Sequence, residues 1–188
     1  MVIEGMAADL CGGDQRRQAM VIRMERPEDR EAVFAVNLTA FGGEFEPKLV
    51  DGLRKSPSFI PELSLVAAVD GLVAGYILFI RLVILNGATE HSALGLAPLA
   101  VEPGRQNQGI GTALVRTGLV QGARLGHSLV FVVGRPEYYG RFGFVPARAR
   151  GFEVGFPVPD NTFMVRELVP GAMAGVCGLV KHPIVFNS

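Results

Sequence analysis

Cysteine is scarce in this chain: Cys11 and Cys177 are the two present in 188 residues, far apart and without the close spacing of a metal site. They are expected to be reduced thiols in a cytoplasmic protein. An excess of one charge is also missing, since Lys+Arg and Asp+Glu both number 18. A general nucleic-acid surface needs a basic excess, so no nucleic-acid partner is expected. A local basic pocket for a phosphorylated ligand stays open. No apolar run is long enough to span a bilayer. The nearest approach, residues 63–85, contains Asp70 and Arg81, and its uncharged runs fall short of the roughly 20 residues required. The first 20 residues lack the apolar core of a signal peptide. Residues 1–19 read as a flexible extension. No His/Cys/Asp/Glu cluster has ligand spacing, so no metal is expected.

What is present is apolar side chain, with a mean hydropathy of +0.33. That suits one well-cored domain over residues 20–188. Met20–Met24 alternates like a short strand. Pro27, Glu28 and Asp29 then open a helix running to about Thr39, since proline suits a first turn and acids suit the positive end of the helix dipole. Ala32, Val33 and Val36 share one face of it. Residues 41–43 break the helix, and residues 46–54 form a second one with Leu49, Val50 and Leu53 inward. Asp70-Gly71 reads as the turn of a hairpin between strands at 63–69 and 72–85. Residues 93–101 make a further strand, interrupted by Pro98. A helix follows from 109 to about 125. Leu129–Val133 is apolar without alternation, as a buried central strand should be. Residues 136–142 form a short helix, and residues 144–146 and 163–169 make closing strands. Antiparallel strands followed by strand–helix–strand give an α/β (α+β) fold.

The segment from Val101 to Val115, VEPGRQNQGIGTALV, places glycines between a strand and a helix. Helix N-termini leave backbone N–H groups unpaired at the positive end of the dipole, and glycine lets a ligand approach them closely. Such a turn is a phosphate cradle. It is not a P-loop: Gly104 and Gly109 are correctly separated, but Ile110 and Gly111 stand where Lys and Ser/Thr are needed. A dinucleotide fingerprint also fails, because Leu114 replaces the third glycine of Gly109-x-Gly111 and no acid follows Leu129–Val133.

Gln106-Asn107-Gln108-Gly109-Ile110-Gly111 fits [Q/R]-x-x-G-x-[G/A]. It resembles the pyrophosphate loop of the Gcn5-related N-acetyltransferase (GNAT) family. Upstream, Pro98-Leu99-Ala100-Val101-x-Pro103 is similar to that family's bulged strand. Downstream, RPEYYGRFGFVPA (residues 135–147) resembles its Y-x-x-x-G-F signature through Tyr139 and Gly143-Phe144. Tyr138 is one residue out and reads as core or pocket wall. The resemblance spans residues 21–169, and these motifs with the tail at 163–178 are most similar to the YhbS-like subgroup. One departure is plain. Many relatives carry a pantetheine-contacting Asn after the buried strand, whereas Gly134-Arg135 follow here.

The resemblance implies a mostly antiparallel sheet with a bulged, splayed strand pair and flanking helices. It implies acetyl-CoA as cosubstrate and transfer of its acetyl group to a primary amine, on a small molecule or a peptide N-terminus, by direct attack in a ternary complex. It implies backbone contacts at Leu99, Ala100 and Val101, with an amide near Ala100 or Val101 polarising the carbonyl. It implies diphosphate contacts over Gln106, Asn107, Gln108, Gly109, Ile110, Gly111 and Thr112. Tyr139 is the expected proton donor to the leaving thiolate. Arg105 and Arg141 could add positive charge. Glu44 and Glu46 are candidate bases, and the acceptor pocket is expected from residues 41–59 and the tail. His91 and His127 read as solvated, and His182 has no identified partner. Many relatives form homodimers, and the resemblance leaves the oligomeric state of this chain open. A non-catalytic acyl-CoA sensor is the alternative.

Overall fold

The computed structural model describes residues 19–183. Apart from Ala19, the expected extension at residues 1–19 lies outside the described residues, and so does Cys11. Strands β1 (Met20–Met24), β2 (Phe59–Val69), β3 (Leu72–Asn86), β4 (Thr89–Val101), β5 (Leu129–Val133), β6 (Val145–Pro146), β7 (Phe152–Val154), β8 (Phe163–Glu167) and β9 (Gly178–Lys181) form one 9-stranded sheet. Its order is β1-β2-β3-β4-β5-β8-β6, with β9 joining β3 to β7. The β4–β5 and β7–β9 pairs are parallel; the others are antiparallel. Helices α1 (Arg30–Phe41), α2 (Phe45–Arg54), α3 (Ile110–Arg124) and α4 (Pro136–Tyr139) flank it.

The β2–β3 turn places Asp70 at φ 51° and Gly71 at φ 84°, both left-handed as a two-residue type I′ hairpin demands. A 3₁₀ turn at Pro27–Asp29 precedes α1, and Asp29 secures it. Its carboxylate accepts from Arg23 Nη1 and Nη2 at 2.5 and 2.8 Å and from the Arg26 amide at 2.7 Å. Gly42 at φ 73° ends α1 in a left-handed cap. Strand alternation then builds two cores. Ile77 and Phe79 of β3 point to the face covered by α3. Tyr76, Leu78 and Ile80 point to the face covered by α1 and α2. A buried polar chain ties α2 to the sheet: Arg54 donates to Glu25, Ser64 Oγ donates to Glu25 at 2.5 Å, and the Ser64 and Tyr76 hydroxyls lie 2.8 Å apart.

The elements differ from the expected ones mainly at their ends. Strand β2 begins at Phe59 instead of residue 63, and β4 begins at Thr89 instead of residue 93. The long β3 draws out both neighbours: Phe59 pairs with Ile80, and residues 89–93 of β4 pair with residues 82–86 of β3. Strands β7 and β9 were not foreseen. Each is short, and each exists by pairing with a segment distant in sequence.

Helix α3 approaches β3 closely because of Gly118. A Cβ there would lie 2.1 Å from Phe79 Cε2. In an exposed helix Gly→Ala stabilises by up to about 1 kcal/mol. Here Gly118→Ala should instead destabilise by about 1–3 kcal/mol through overpacking, lowering Tm by several degrees. Thermal melts check this, and a Tm at or above wild type contradicts the close contact.

Candidate functional site

Strand β4 changes partners along its length. Its pairing with β5 ends at Leu96 opposite Val132, while its pairing with β3 continues to Val101 opposite Gly75. Between Leu96 and Leu99 the register against β3 slips: Phe79 pairs with Leu96 but Ile77 pairs with Leu99. One extra residue at Ala97-Pro98 makes this a β-bulge, and Pro98 supplies no N–H to miss a partner. The expected bulged, splayed pair is therefore β4 with β5.

The Glu102 amide donates to Ala74 O at 2.9 Å. Antiparallel alternation then turns the Ala100 amide and carbonyl toward β3 and those of Leu99 and Val101 away from it. This narrows the expectation of a free amide at Ala100 or Val101: Val101 presents one, and Ala100 is committed to its β3 neighbour Tyr76. The Val101 carbonyl accepts from Gln106 Nε2 at 3.2 Å, which folds the following loop back onto the strand. Gln108 Nε2 donates to Gly104 O at 3.3 Å and braces the same loop.

Asn107 at φ 62° and Gly109 at φ 86° are both left-handed. Asn tolerates that region better than other side-chain-bearing residues, and glycine adopts it freely. The first intrahelical bond of α3 runs from the Ala113 amide to Gly109 O at 2.9 Å. Among the described residues, the amides of Asn107, Gln108, Gly109, Ile110, Gly111 and Thr112 meet no carbonyl or side-chain acceptor. They leave a concentration of positive dipole at the end of β4. Buried Ile110 and Leu114 fix the helix start against Gly75 of β3, where a Cβ would lie 2.9 Å from Ile110 Cγ2.

The opposite wall is α4 and the 3₁₀ turn Gly140–Phe142. Tyr139 is 8% exposed. Its ring meets Tyr138 at 5.1 Å and Phe144 at 5.6 Å, edge-on in both cases. It also rests on Gly134, where a Cβ would lie 2.3 Å from Tyr139 Cε2. The ring therefore takes the room that an Asn side chain at 134 would need. Burial raises the Tyr139 pKa, with Tyr138 adding to the rise and Arg135 opposing it, so its hydroxyl keeps its proton at neutral pH. Tyr138, half-buried, reaches across to α3, its hydroxyl 2.7 Å from the Cβ position of Gly111.

The remaining candidates divide. Arg105 pairs with Glu102 at 3.2 Å. Arg141 lies over the Tyr138 ring at 4.6 Å. Lys48 sits 2.6 Å from the Glu44 carboxylate and holds its pKa below the usual range, which makes Glu44 a weak base. Glu46 is half-buried in the first turn of α2. His91 lies in β4 opposite Ile84 and is half-buried, not solvated. His127 is half-buried, not solvated, and burial and Arg81 lower its pKa. His182 does have a neighbour, the Phe156 ring at 5.1 Å.

The contact between Tyr138 and Gly111 can be measured. Gly111→Ala should destabilise the wild type by about 1–2 kcal/mol, and Tyr138→Phe should recover most of that loss. A double-mutant cycle in chemical denaturation should give a coupling of about 1 kcal/mol. A coupling near zero contradicts the contact.

Comparison with known proteins agrees with this geometry. The family profile described as "Acetyltransferase (GNAT) domain" matches residues 21–147. The uncharacterised N-acetyltransferase YhbS of Escherichia coli K12 is 35% identical over 169 residues, 89% of this chain and 99% of its own length. Its crystal structure in complex with CoA superposes with a TM-score of 0.85 at 31% identity, covering 97% of both chains. A GNAT family acetyltransferase from Brucella melitensis, solved in complex with acetyl-CoA, gives a TM-score of 0.73 at 32% identity over 90% of this chain and 99% of that one. A splayed β4–β5 pair and a glycine-capped α3 with unpaired amides thus accompany a profile match over most of the sequence, and the chain belongs to the GNAT acetyltransferase family.

Proposed function

We infer that this chain transfers the acetyl group of acetyl-CoA to a primary amine by direct attack in a ternary complex. One observation carries the reading: the unpartnered amides of residues 107–112 stand immediately beyond a strand whose outward polar groups face the β4–β5 gap. A dianionic diphosphate suits those amides, because charge-assisted hydrogen bonds are worth about 1.5–3 kcal/mol each. The pantetheine arm and acetyl group would lie along Leu99, Ala100 and Val101, with the Val101 amide polarising the thioester carbonyl. Gln106 acts here through the Val101 carbonyl. Two similar structures, the Escherichia coli and Brucella melitensis enzymes, hold CoA and acetyl-CoA, which supports the same cosubstrate.

The chemistry needs little more. The neutral amine attacks the thioester carbon, the tetrahedral adduct collapses, the C–S bond breaks and an amide forms. The nitrogen sheds one proton and the sulfur gains one, so the reaction is proton-neutral. Tyr139 serves the sulfur. A thiol ordinarily titrates near pH ~8.5 and a phenol near ~10, and burial raises Tyr139 further. It is the weaker acid of the pair, so it acts mainly by donating a strong hydrogen bond to the developing thiolate. The amine would enter from the α1–α2 junction, where Phe41 and Phe45 expose apolar surface beside Glu44 and Glu46. The Lys48 pairing of Glu44 favours water as the first acceptor of the amine's proton.

The same cradle would serve a non-catalytic acyl-CoA sensor. Thiol release from acetyl-CoA across a panel of small amines and peptide N-termini separates the two, since a sensor binds and releases nothing. With an amine that reacts, Tyr139→Phe should lower kcat about 10- to 100-fold while leaving the KM for acetyl-CoA within about twofold. Unchanged kcat contradicts the role. Because the folded pKa lies above the ordinary phenol value, wild-type kcat should show no alkaline loss from this group up to about pH 10. A decline fixed to the Tyr139 hydroxyl at lower pH contradicts its burial.

A further inference from the structure

Tyr138 falls outside the Y-x-x-x-G-F spacing and has no part in the acyl transfer proposed for Tyr139 and Val101. Its surroundings nevertheless converge on one atom. The hydroxyl lies against the first turn of α3, 2.7 Å from the Cβ position of Gly111. The ring is fixed on three sides, by Tyr139 at 5.1 Å, Phe142 at 5.5 Å and the Arg141 guanidinium at 4.6 Å. Arg141 is itself tethered, donating from Nε to the Tyr138 carbonyl at 3.3 Å. Burial keeps the hydroxyl protonated by raising its pKa, and the positive charges of Arg141 and Arg135 act on it in the opposite sense. Neither arginine forms an ion pair with a carboxylate among the described residues. A fixed phenol O–H, two uncompensated guanidinium groups and the amides of α3 thus meet at the mouth of the cleft.

We propose that Tyr138, clamped by Arg141, is a donor-binding residue that closes the diphosphate cradle from the α4 side. Its hydroxyl donates to a phosphate oxygen held on the α3 amides, and Arg141 and Arg135 supply charge that the backbone dipoles only partly provide. The proposal rests on the acetyl-CoA reading and extends it. It also explains Gly111 in this chain, since any larger residue would push the hydroxyl off the first turn. Tyr138 and Tyr139 then divide the ligand, the first serving the diphosphate and the second the sulfur.

Calorimetry on the full chain tests this with two ligands, acetyl-CoA and 3′-phosphoadenosine 5′-diphosphate, which carries the diphosphate without the thioester. Tyr138→Phe should weaken both by about tenfold, the scale of one hydrogen bond to a charged group. Arg141→Gln should weaken both by about three- to tenfold, and it tests the same site should the phenylalanine variant fold poorly. In steady-state assays Tyr138→Phe should raise the KM for acetyl-CoA about tenfold and change kcat by less than about threefold, a split that general loss of structure would not give. Affinities within about twofold of wild type for both ligands would overturn the proposal. So would a loss confined to acetyl-CoA, which would place Tyr138 at the thioester. A wild-type chain that binds neither ligand would overturn the acetyl-CoA reading itself.

Discussion

Past Leu96, strand β4 has backbone hydrogen-bonding groups on two edges and a sheet neighbour on one. Chains rarely leave such groups unpaired, and here the consequence is the site itself. Strand β5 is held by β8 through a ladder from Leu129 opposite Glu167 to Val133 opposite Phe163, so it cannot follow β4. The bulge at Ala97-Pro98 shifts the β4 register against β3. Together these turn the polar groups of Leu99 and Val101 toward a gap, and the loop after Val101 brings the amides of α3 to the end of that gap. A single edge offers a run of donors and acceptors in extended conformation, followed by a cluster of donors alone. An amide-containing arm ending in a diphosphate has the complementary order.

Glycines hold the walls at the right separation. Gly75 lets the start of α3 settle on β3, Gly118 lets its middle cross Phe79, and Gly134 makes room for the Tyr139 ring. Each is a close approach in which a methyl group would meet a neighbour at 2.9 Å or less. Packing set this tightly transmits small displacements, since protein interiors are close to incompressible. The aromatic group of Tyr138, Tyr139, Phe142 and Phe144 therefore acts as one block bearing on α3. The polar chain from Arg54 through Glu25 and Ser64 to Tyr76 secures the other face of the sheet beneath Ala100, the cross-strand neighbour of Tyr76.

Local features could be read from the sequence because their causes are local. The Asp70-Gly71 turn and the Gly42 helix end follow from residues whose backbone preferences are strong, and the start of α3 was legible to within one residue, Gly109 being its left-handed cap and not its first residue. The glycine loop and the Tyr139 spacing sit within single segments, so both could be matched to a family pattern. Features set by long-range pairing could not be read. Which of Ala100 and Val101 turns its amide outward depends on the β3 register, and β9 exists only through β3 and β7. The reach of Tyr138 to Gly111 depends on how α4 docks on α3. The Gly134 departure looked like a lost contact until the Tyr139 ring was found in that space.

In the proposed complex the backbone amides at the start of α3 receive the diphosphate of the coenzyme. Amide-resolved nitrogen–proton NMR during a titration with CoA addresses them directly. The Gly109, Ile110, Gly111 and Thr112 cross-peaks should move strongly downfield and saturate together, as amides do on donating to an anionic oxygen. If those peaks stay in place while the coenzyme binds and shifts others, the diphosphate lies elsewhere and the α3 amides are not its cradle.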